Sequence, residues 1–397
     1  MEHKERPIIL LLAALQFLHI LDFVIMMPLG PIFMKVFSIN SGEFGFLVSA
    51  YTFSAGVFGF VGAFFLDRFD RKPALIFVSF GFALGTLICA LSPTYELLLM
   101  GRIVAGAFGG IIGALVLSIA GDVIPLLRRG KATGTIMASF SVASVIGIPI
   151  GLALADKFGW QIPFLTIAIL TFLFLPAAHR IMPNLKMHIE QKIEGESKWS
   201  SIREVFMTKS HYLSFAFCIS LMFGGFTVIP FLSAYFVSNV KLTVSDLPYI
   251  YFTGGLFTFF TSQWIGKIAD KYGKQRTYSI LAFLAMGPVL WITNMGPTPL
   301  WLALISTTLF MIFVSGRMVP AFAMLTSTIA PKIRGSFMSI NGAVQQIASG
   351  GASLLSGLIL RQNLDGVLVN YEYVGLVSCA SLLVSIFLAF RIRILHT

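Results

Sequence analysis

The sequence predicts an all-α membrane protein whose twelve transmembrane helices form two pseudo-symmetric six-helix bundles. Three observations carry this expectation. Hydrophobic residues make up 57% of the chain, charged residues only 11%, and mean hydropathy is +0.87. A soluble core does not hide that much apolar surface, whereas a bilayer does. Apolar runs near twenty residues recur twelve times, at about 8–35, 43–66, 74–92, 97–122, 132–155, 161–181, 211–238, 248–268, 277–295, 300–328, 336–360 and 372–391. In lipid each run must satisfy its own backbone hydrogen bonds, so each is a helix. Finally, a charged turn occurs twice, AFFLDRFDRK at 63–72 and GKIADKYGKQ at 266–275, each between two apolar runs. Two copies of one polar turn, about two hundred residues apart, mark two homologous halves.

The halves divide at a polar stretch. Residues 1–181 form the first six-helix bundle, 182–210 a charged cytoplasmic linker, and 211–397 the second bundle. Within the linker, Trp199, Ile202, Val205 and Phe206 share one helical face, as in an amphipathic helix lying on the inner membrane surface. A net charge of +11 would suggest nucleic acid in a soluble protein, but its placement explains it otherwise. About 22 of the 28 Lys and Arg fall in the termini and the loops of one side; about four, Lys35, Lys157, Lys241 and Arg361, fall on the other. That asymmetry puts both termini in the cytoplasm of a multi-pass inner-membrane protein and implies no nucleic-acid partner. The N-terminal apolar run is too long for a signal peptide and reads as a retained first span. Cys89, Cys218 and Cys379 lie far apart inside apolar runs, without disulfide or metal-ligand spacing.

The paired turns resemble the loop between the second and third spans of the major facilitator superfamily, written G-x-L-a-D-r-x-G-r-K. The second copy keeps both glycines, Gly266 and Gly273, whereas the first has Ala63 and Asp70 in their places. The resemblance implies a latch at the cytoplasmic face built from Asp67, Arg68, Arg71 and Lys72, with Asp122 at the inner end of span four as the partner of the loop arginine. Asp270 and Arg276 belong to the second copy. The other reading is a charged loop that only sets topology.

Along the chain, span one carries the chemistry. Gln16, His19, Asp22 or Phe23, and Met26 recur three or four apart and share one face. Asp22 lies about fourteen residues from the inner end, roughly 21 Å along a helix and near the bilayer midplane. A carboxylate there costs at least about 2.5–3.5 kcal/mol, so it faces a cavity, meets a cation or binds a proton. His19, one turn away, reads either as its relay partner or as a structural histidine. Pro28 and Pro31 kink or end the helix on the outer side. Span two carries a small-residue stripe, Ala55, Gly59 and Ala63, for close packing. Span three shows no signal and reads as mostly lipid-facing.

In span four Arg102 sits inside the apolar run. The spacing from Arg102 to Gly106 resembles the family's fourth-span motif, whose arginine is linked to proton coupling, and Asp22 is its natural partner. Alternatively Arg102 snorkels to the outer surface, about six residues away. Gly106, Gly110 and Ala114 form another small stripe. In span five Gly147, Pro149 and Gly151 resemble, with altered spacing, the proline-glycine motif of drug and sugar exporters. The bland alternative is a kinked, close-packed helix.

In the second half, Gly224, Gly225, Thr227, Pro230 and Tyr235 suggest a broken span seven, as often flanks transporter sites. Arg317 lies near the middle of span ten. It holds an anionic substrate group, pairs with Asp22, or bonds helix carbonyls as a structural cation. In span eleven Asn341 and Gln345, one turn apart, either face the cavity or bridge helices. With Gln16, Met26, Arg317 and Tyr235 they complete the expected substrate cavity.

No phosphate loop, paired-carboxylate hydrolase pattern or metal-ligand cluster is visible, so neither enzyme nor cofactor is expected. The reading is a monomeric secondary transporter, resembling the twelve-span drug- and sugar-efflux antiporters of bacteria. Its partners are protons, the lipid bilayer and a small organic or amphiphilic substrate that Phe- and Met-rich walls would suit. Asp22, His19 and Arg102 are the coupling residues. A facilitator or an uptake symporter is the alternative within transport, and a non-transporting receptor the alternative outside it.

Overall fold

The computed structural model describes residues 5–65, 69–183, 198–329, 333–363 and 365–392. They are almost wholly helical. Ten helical stretches among them are long and apolar enough to cross a membrane. The expected runs at 248–268 and 336–360 also fold as long helices, Leu247–Tyr272 and Arg334–Ile359. One departure from an all-helical chain is a two-stranded ribbon, β1 (Arg361–Gln362) antiparallel to β2 (Leu368–Val369).

The chain forms two compact units, residues 1–26 with 50–196, and residues 27–49 with 197–397. The grouping of 27–49 with the C-terminal residues was not expected from the halves of the sequence.

The first unit begins with α1 (Glu5–Ile25). The apolar run expected to continue to residue 35 is broken after Ile25. Pro31 fills the first turn of a separate short helix, α2 (Gly30–Val36), where a missing N–H costs nothing. Next come α3 (Ser41–Phe65), α4 (Arg71–Ala90) and α5 (Tyr95–Val123). Asp70, standing where the family loop has glycine, caps α4 by accepting from the Lys72 N–H at 3.1 Å. Span five is α6 (Leu126–Val142), a π-turn (Ala143–Gly147) and α7 (Ile148–Phe158); α8 (Gln161–Ile181) follows. The π-turn sits just before Pro149, which lacks the N–H a regular helix would use there.

Within this unit α4 packs along α5 and α8, and α1 lies against α5 and α6. The small-residue stripes let backbones meet: a Cβ on Gly110 would strike the Ala55 carbonyl and lie 2.7 Å from Ala55 Cα. Large apolar side chains such as Phe77 and Leu173 point outward, as a hydrocarbon solvent allows. Span three, expected to be mostly lipid-facing, instead buries Leu75, Val78, Phe82, Thr86 and Cys89 along one face.

In the second unit α9 (Lys198–Met207) and α10 (Lys209–Phe226) lead through a 3-10 turn (Ile229–Phe231) into α11 (Leu232–Ser238), so span seven is broken as expected. The helices α12 (Leu247–Tyr272), α13 (Lys274–Thr293), α14 (Leu300–Gly316), α15 (Met318–Ser327), α16 (Arg334–Ile359) and α17 (Tyr371–Arg391) follow. On α9 Val205 is buried but Phe206 is 44% exposed, so the expected apolar face is only partly covered; the Trp199 side chain lies outside the described set.

Residues 27–49 join this unit through interlocked small side chains. Ser41 Oγ donates to the carbonyls of Gly357 and Leu360 at 3.2 and 2.7 Å, and Ser49 Oγ to that of Gly350 at 2.8 Å. A Cβ on Gly45 would lie 2.9 Å from the Ser353 carbonyl oxygen. Ser41, Gly45 and Ser49 fall on one face of α3 and meet the corresponding stripe of α16.

Candidate functional site

In the first unit the site is built on α1. Its N-terminal half is tied to α6 by Ser139 Oγ donating to the Ala13 carbonyl at 2.8 Å. Its C-terminal half is seated against span five. A Cβ on Gly147 would lie 2.8 Å from Leu21 Cδ1, and one on Gly151 2.7 Å from Ile25 Cδ1. The Gly147–Pro149–Gly151 stretch thus makes room for the side chains flanking Asp22.

Asp22 is fully buried and held from two helices. Arg102 Nη1 of α5 donates to its Oδ2 at 2.9 Å and to its main-chain carbonyl at 3.2 Å. Thr86 Oγ1 of α4 donates to its Oδ1 at 3.1 Å. The guanidinium lies 4.3 Å over the centre of the Tyr51 ring of α3, a cation–π contact that gains from exclusion of water. Arg102 therefore does not snorkel to the surface; it has no solvent exposure.

Several polar atoms around the pair are buried and uncommitted: Arg102 Nε and Nη2, the Tyr51 hydroxyl, both ring nitrogens of His19, and Gln16 Oε1. Gly109 of α5 stands against this group, where a Cβ would come within 2.5 Å of the Tyr51 hydroxyl and 2.8 Å of His19 Cδ2. The His19 ring lies 6.5 Å from that of Tyr51 and 6.1 Å from that of Phe82. Met26 is fully buried at the end of this face. Uncommitted donors and acceptors beside a charged pair can take water, a proton or a polar ligand.

Sequence reasoning missed Thr86 and Tyr51. The available signals were slight: one of three hydroxyls in an otherwise apolar span, and the one tyrosine inside the first half's apolar runs.

Of the latch residues, Asp67 and Arg68 lie outside the described residues. Arg71 Nε donates to Asp122 Oδ2 at 3.1 Å, joining the start of α4 to the end of α5. Lys72 offers its backbone N–H to the Asp70 cap. The second copy is built differently. Asp270 and Arg276 are exposed and form no ion pair among the described residues. Lys274 Nζ instead donates to Ser327 Oγ at 2.9 Å, and Gln275 Nε2 to the Ala389 carbonyl.

In the second unit Arg317 and Asn341 are fully buried, and Gln345 is half-buried. Both amide atoms of Asn341 are uncommitted. Tyr235 serves packing: its hydroxyl donates to the Met295 carbonyl at 2.9 Å and its ring lies 4.5 Å from that of Tyr371. Asp22 is engaged within the first unit and Arg317 within the second, by the Leu221 carbonyl at 3.0 Å.

Many apolar helices of membrane-crossing length, an apolar exterior and a buried ion pair inside them define a multi-pass membrane protein. The family model of the Major Facilitator Superfamily matches residues 12–352 and 222–395. The chain belongs to that superfamily of secondary transporters. Among its relatives, an uncharacterized MFS-type transporter of Bacillus subtilis, YceJ, is 23% identical over 85% of each chain. Multidrug resistance protein 2 of the same organism is 22% identical over 91% of each. The nucleoside transporter NupG superposes with a TM-score of 0.75 at 14% identity, over 97% of this chain and 98% of that one. The inward open xylose transporter XylE from E. coli gives 0.73 at 17% identity, over 95% of each. At such identities these structures bear on the fold alone.

Proposed function

We propose that the chain is a proton-coupled exporter of a small organic or amphiphilic compound, working by alternating access. The observation that carries this reading is the Asp22–Arg102 pair, wholly buried and 2.9 Å apart inside membrane-crossing helices. A carboxylate kept at that depth has a function by default. When Asp22 is charged it neutralises Arg102. Substrate from the cytoplasm competes with the proton for the ionised Asp22, directly or through Arg102. A protonated Asp22 and a substrate-bound cavity are then alternatives, which is antiport. His19, one turn along α1 with both nitrogens uncommitted, is positioned to pass the proton. Kinship with a multidrug resistance protein supports export.

In this reading the two less apolar helices, α12 and α16, complete twelve spans in two six-helix bundles, 1–181 and 211–397, joined by 182–210. Their polar side chains face protein or cavity and not lipid. Gln16, Met26, Asn341 and Gln345 belong to the faces that open during the cycle, and the Arg71–Asp122 pair steadies the cytoplasmic loop of the first bundle. The protein works as a monomer in the bacterial inner membrane, with both termini cytoplasmic.

The test is flux in proteoliposomes under an imposed pH gradient. Substrates come from an export screen in a strain lacking its own efflux pumps. Asp22→Asn is expected to lose accumulation against a gradient while still exchanging substrate across the membrane. Uphill transport by Asp22→Asn equal to the parent, with the same pH response, would sink the scheme. Reversing the pH gradient separates export from proton-coupled uptake, and indifference to it marks a facilitator.

A further inference from the structure

Arg317 takes no part in the proton scheme, and its surroundings are specific. It closes α14 and opens α15 within one membrane-crossing stretch, and its side chain has no solvent exposure. Nη2 donates to the Leu221 carbonyl at 3.0 Å. The Tyr278 hydroxyl stands beside the guanidinium and itself donates to Ser385 Oγ at 2.6 Å. Nε and Nη1, which hold most of an arginine's donors, have no partner. Gly224 and Gly225 leave the group room: a Cβ on either would lie 3.4 or 3.2 Å from Nη2.

No carboxylate pairs with Arg317 among the described residues. Those of its unit, Glu43, Glu204, Asp246, Asp270, Asp365 and Glu372, lie in loops, in the short α9 or in terminal turns of helices. The contrast with Arg102 is chemical. Among the described residues each unit has one arginine with no solvent exposure, and only the first unit supplies it with an acid.

A guanidinium without a counter-charge at that depth is expensive, and two neutral partners, the Leu221 carbonyl and the Tyr278 hydroxyl, do not cancel a full charge. We infer that Arg317 is the receptor for a carboxylate carried by the substrate, an apolar-bodied monoanionic organic acid. The ligand's carboxylate meets Arg317 as Asp22 meets Arg102. The planar fork of the guanidinium matches a carboxylate. A single negative charge balances it, whereas a doubly charged phosphate would bury an excess. Leu382 and Val314, packed on Gly224 and Gly225, make the immediate surroundings of the guanidinium apolar. This assignment rests on the transporter reading and names its substrate class.

The experiment is equilibrium binding to the purified full chain in lipid nanodiscs, with no gradient, so that a failure of proton coupling does not affect it. Octanoate and benzoate are titrated against octanamide, benzamide and chloride at matched ionic strength, and the thermal-unfolding midpoint is read. The carboxylates are expected to raise the midpoint saturably, and the amides and chloride not to. Arg317→Gln should abolish that shift while its own midpoint, without ligand, equals or exceeds the parent's, because an uncompensated buried charge has been removed. Arg317→Lys should keep the shift with affinity about tenfold weaker, having lost the fork. The inference is overturned if amides or chloride act as well as carboxylates, if no carboxylate shifts the parent, or if either variant binds as the parent does. Should Arg317→Gln not fold, Arg317→Lys and the carboxylate–amide comparison on the parent still decide.

Discussion

One nitrogen of Arg102, Nη1, donates both to the Asp22 carboxylate at 2.9 Å and to the main-chain carbonyl of the same residue at 3.2 Å. The guanidinium is therefore bound to the backbone of α1 as well as to its charge. Loss of the carboxylate's charge weakens one bond and leaves the other, so the arginine need not travel far when Asp22 gains a proton. Asp22→Asn alone leaves a buried guanidinium uncompensated and is expected to cost about 3–5 kcal/mol. The double variant Asp22→Asn with Arg102→Gln should recover most of that stability and none of the pH-driven flux. A double-mutant cycle by thermal unfolding, run beside proteoliposome transport, checks both halves of the statement.

Thr86 is the other hand on the carboxylate, 3.1 Å from Oδ1. Thr86→Val keeps the shape and removes the donor, at about 1 kcal/mol. It should displace the pH midpoint of transport, and Thr86→Ser should restore it. A variant that lowers flux uniformly at every pH would show Thr86 to be packing only.

The Arg71–Asp122 pair is half wet, with the Asp122 side chain 33% exposed. Screening limits it to about 0.5–1 kcal/mol. Arg71→Gln and Asp122→Asn should each cost that much, with the double variant costing no more than either single one. High salt should shrink the difference between parent and variants, as followed by unfolding midpoints at two ionic strengths.

Two glycines of α5 should respond oppositely to alanine. At Gly110 the new methyl would fall on Ala55 backbone atoms of α3, which cannot step aside, whereas at Gly113 nothing lies within 4 Å. Gly110→Ala is expected to cost about 1–3 kcal/mol or more. Gly113→Ala should be neutral or slightly stabilising through helix propensity. Equal unfolding midpoints for the two variants would contradict the close crossing of α3 and α5.

The sequence by itself determined the solvent and the class of secondary structure, because these depend on composition and on runs long enough to satisfy their own backbone in lipid. It also singled out Asp22 and Arg102, since an ionised side chain inside an apolar run is conspicuous wherever its partner lies. What it did not decide was who meets whom. Thr86 and Tyr51 resemble any hydroxyl and aromatic in a membrane helix until α3 and α4 bring them to α1. Asp270 and Arg276 repeat a motif whose first copy forms an ion pair with Asp122, yet in this structure they stand exposed. The Ser41–Gly45–Ser49 stripe could have served any neighbour; packing against α16 assigned residues 27–49 to the second unit. Partnership is a property of distances between helices, and helical periodicity specifies only the face that each helix presents.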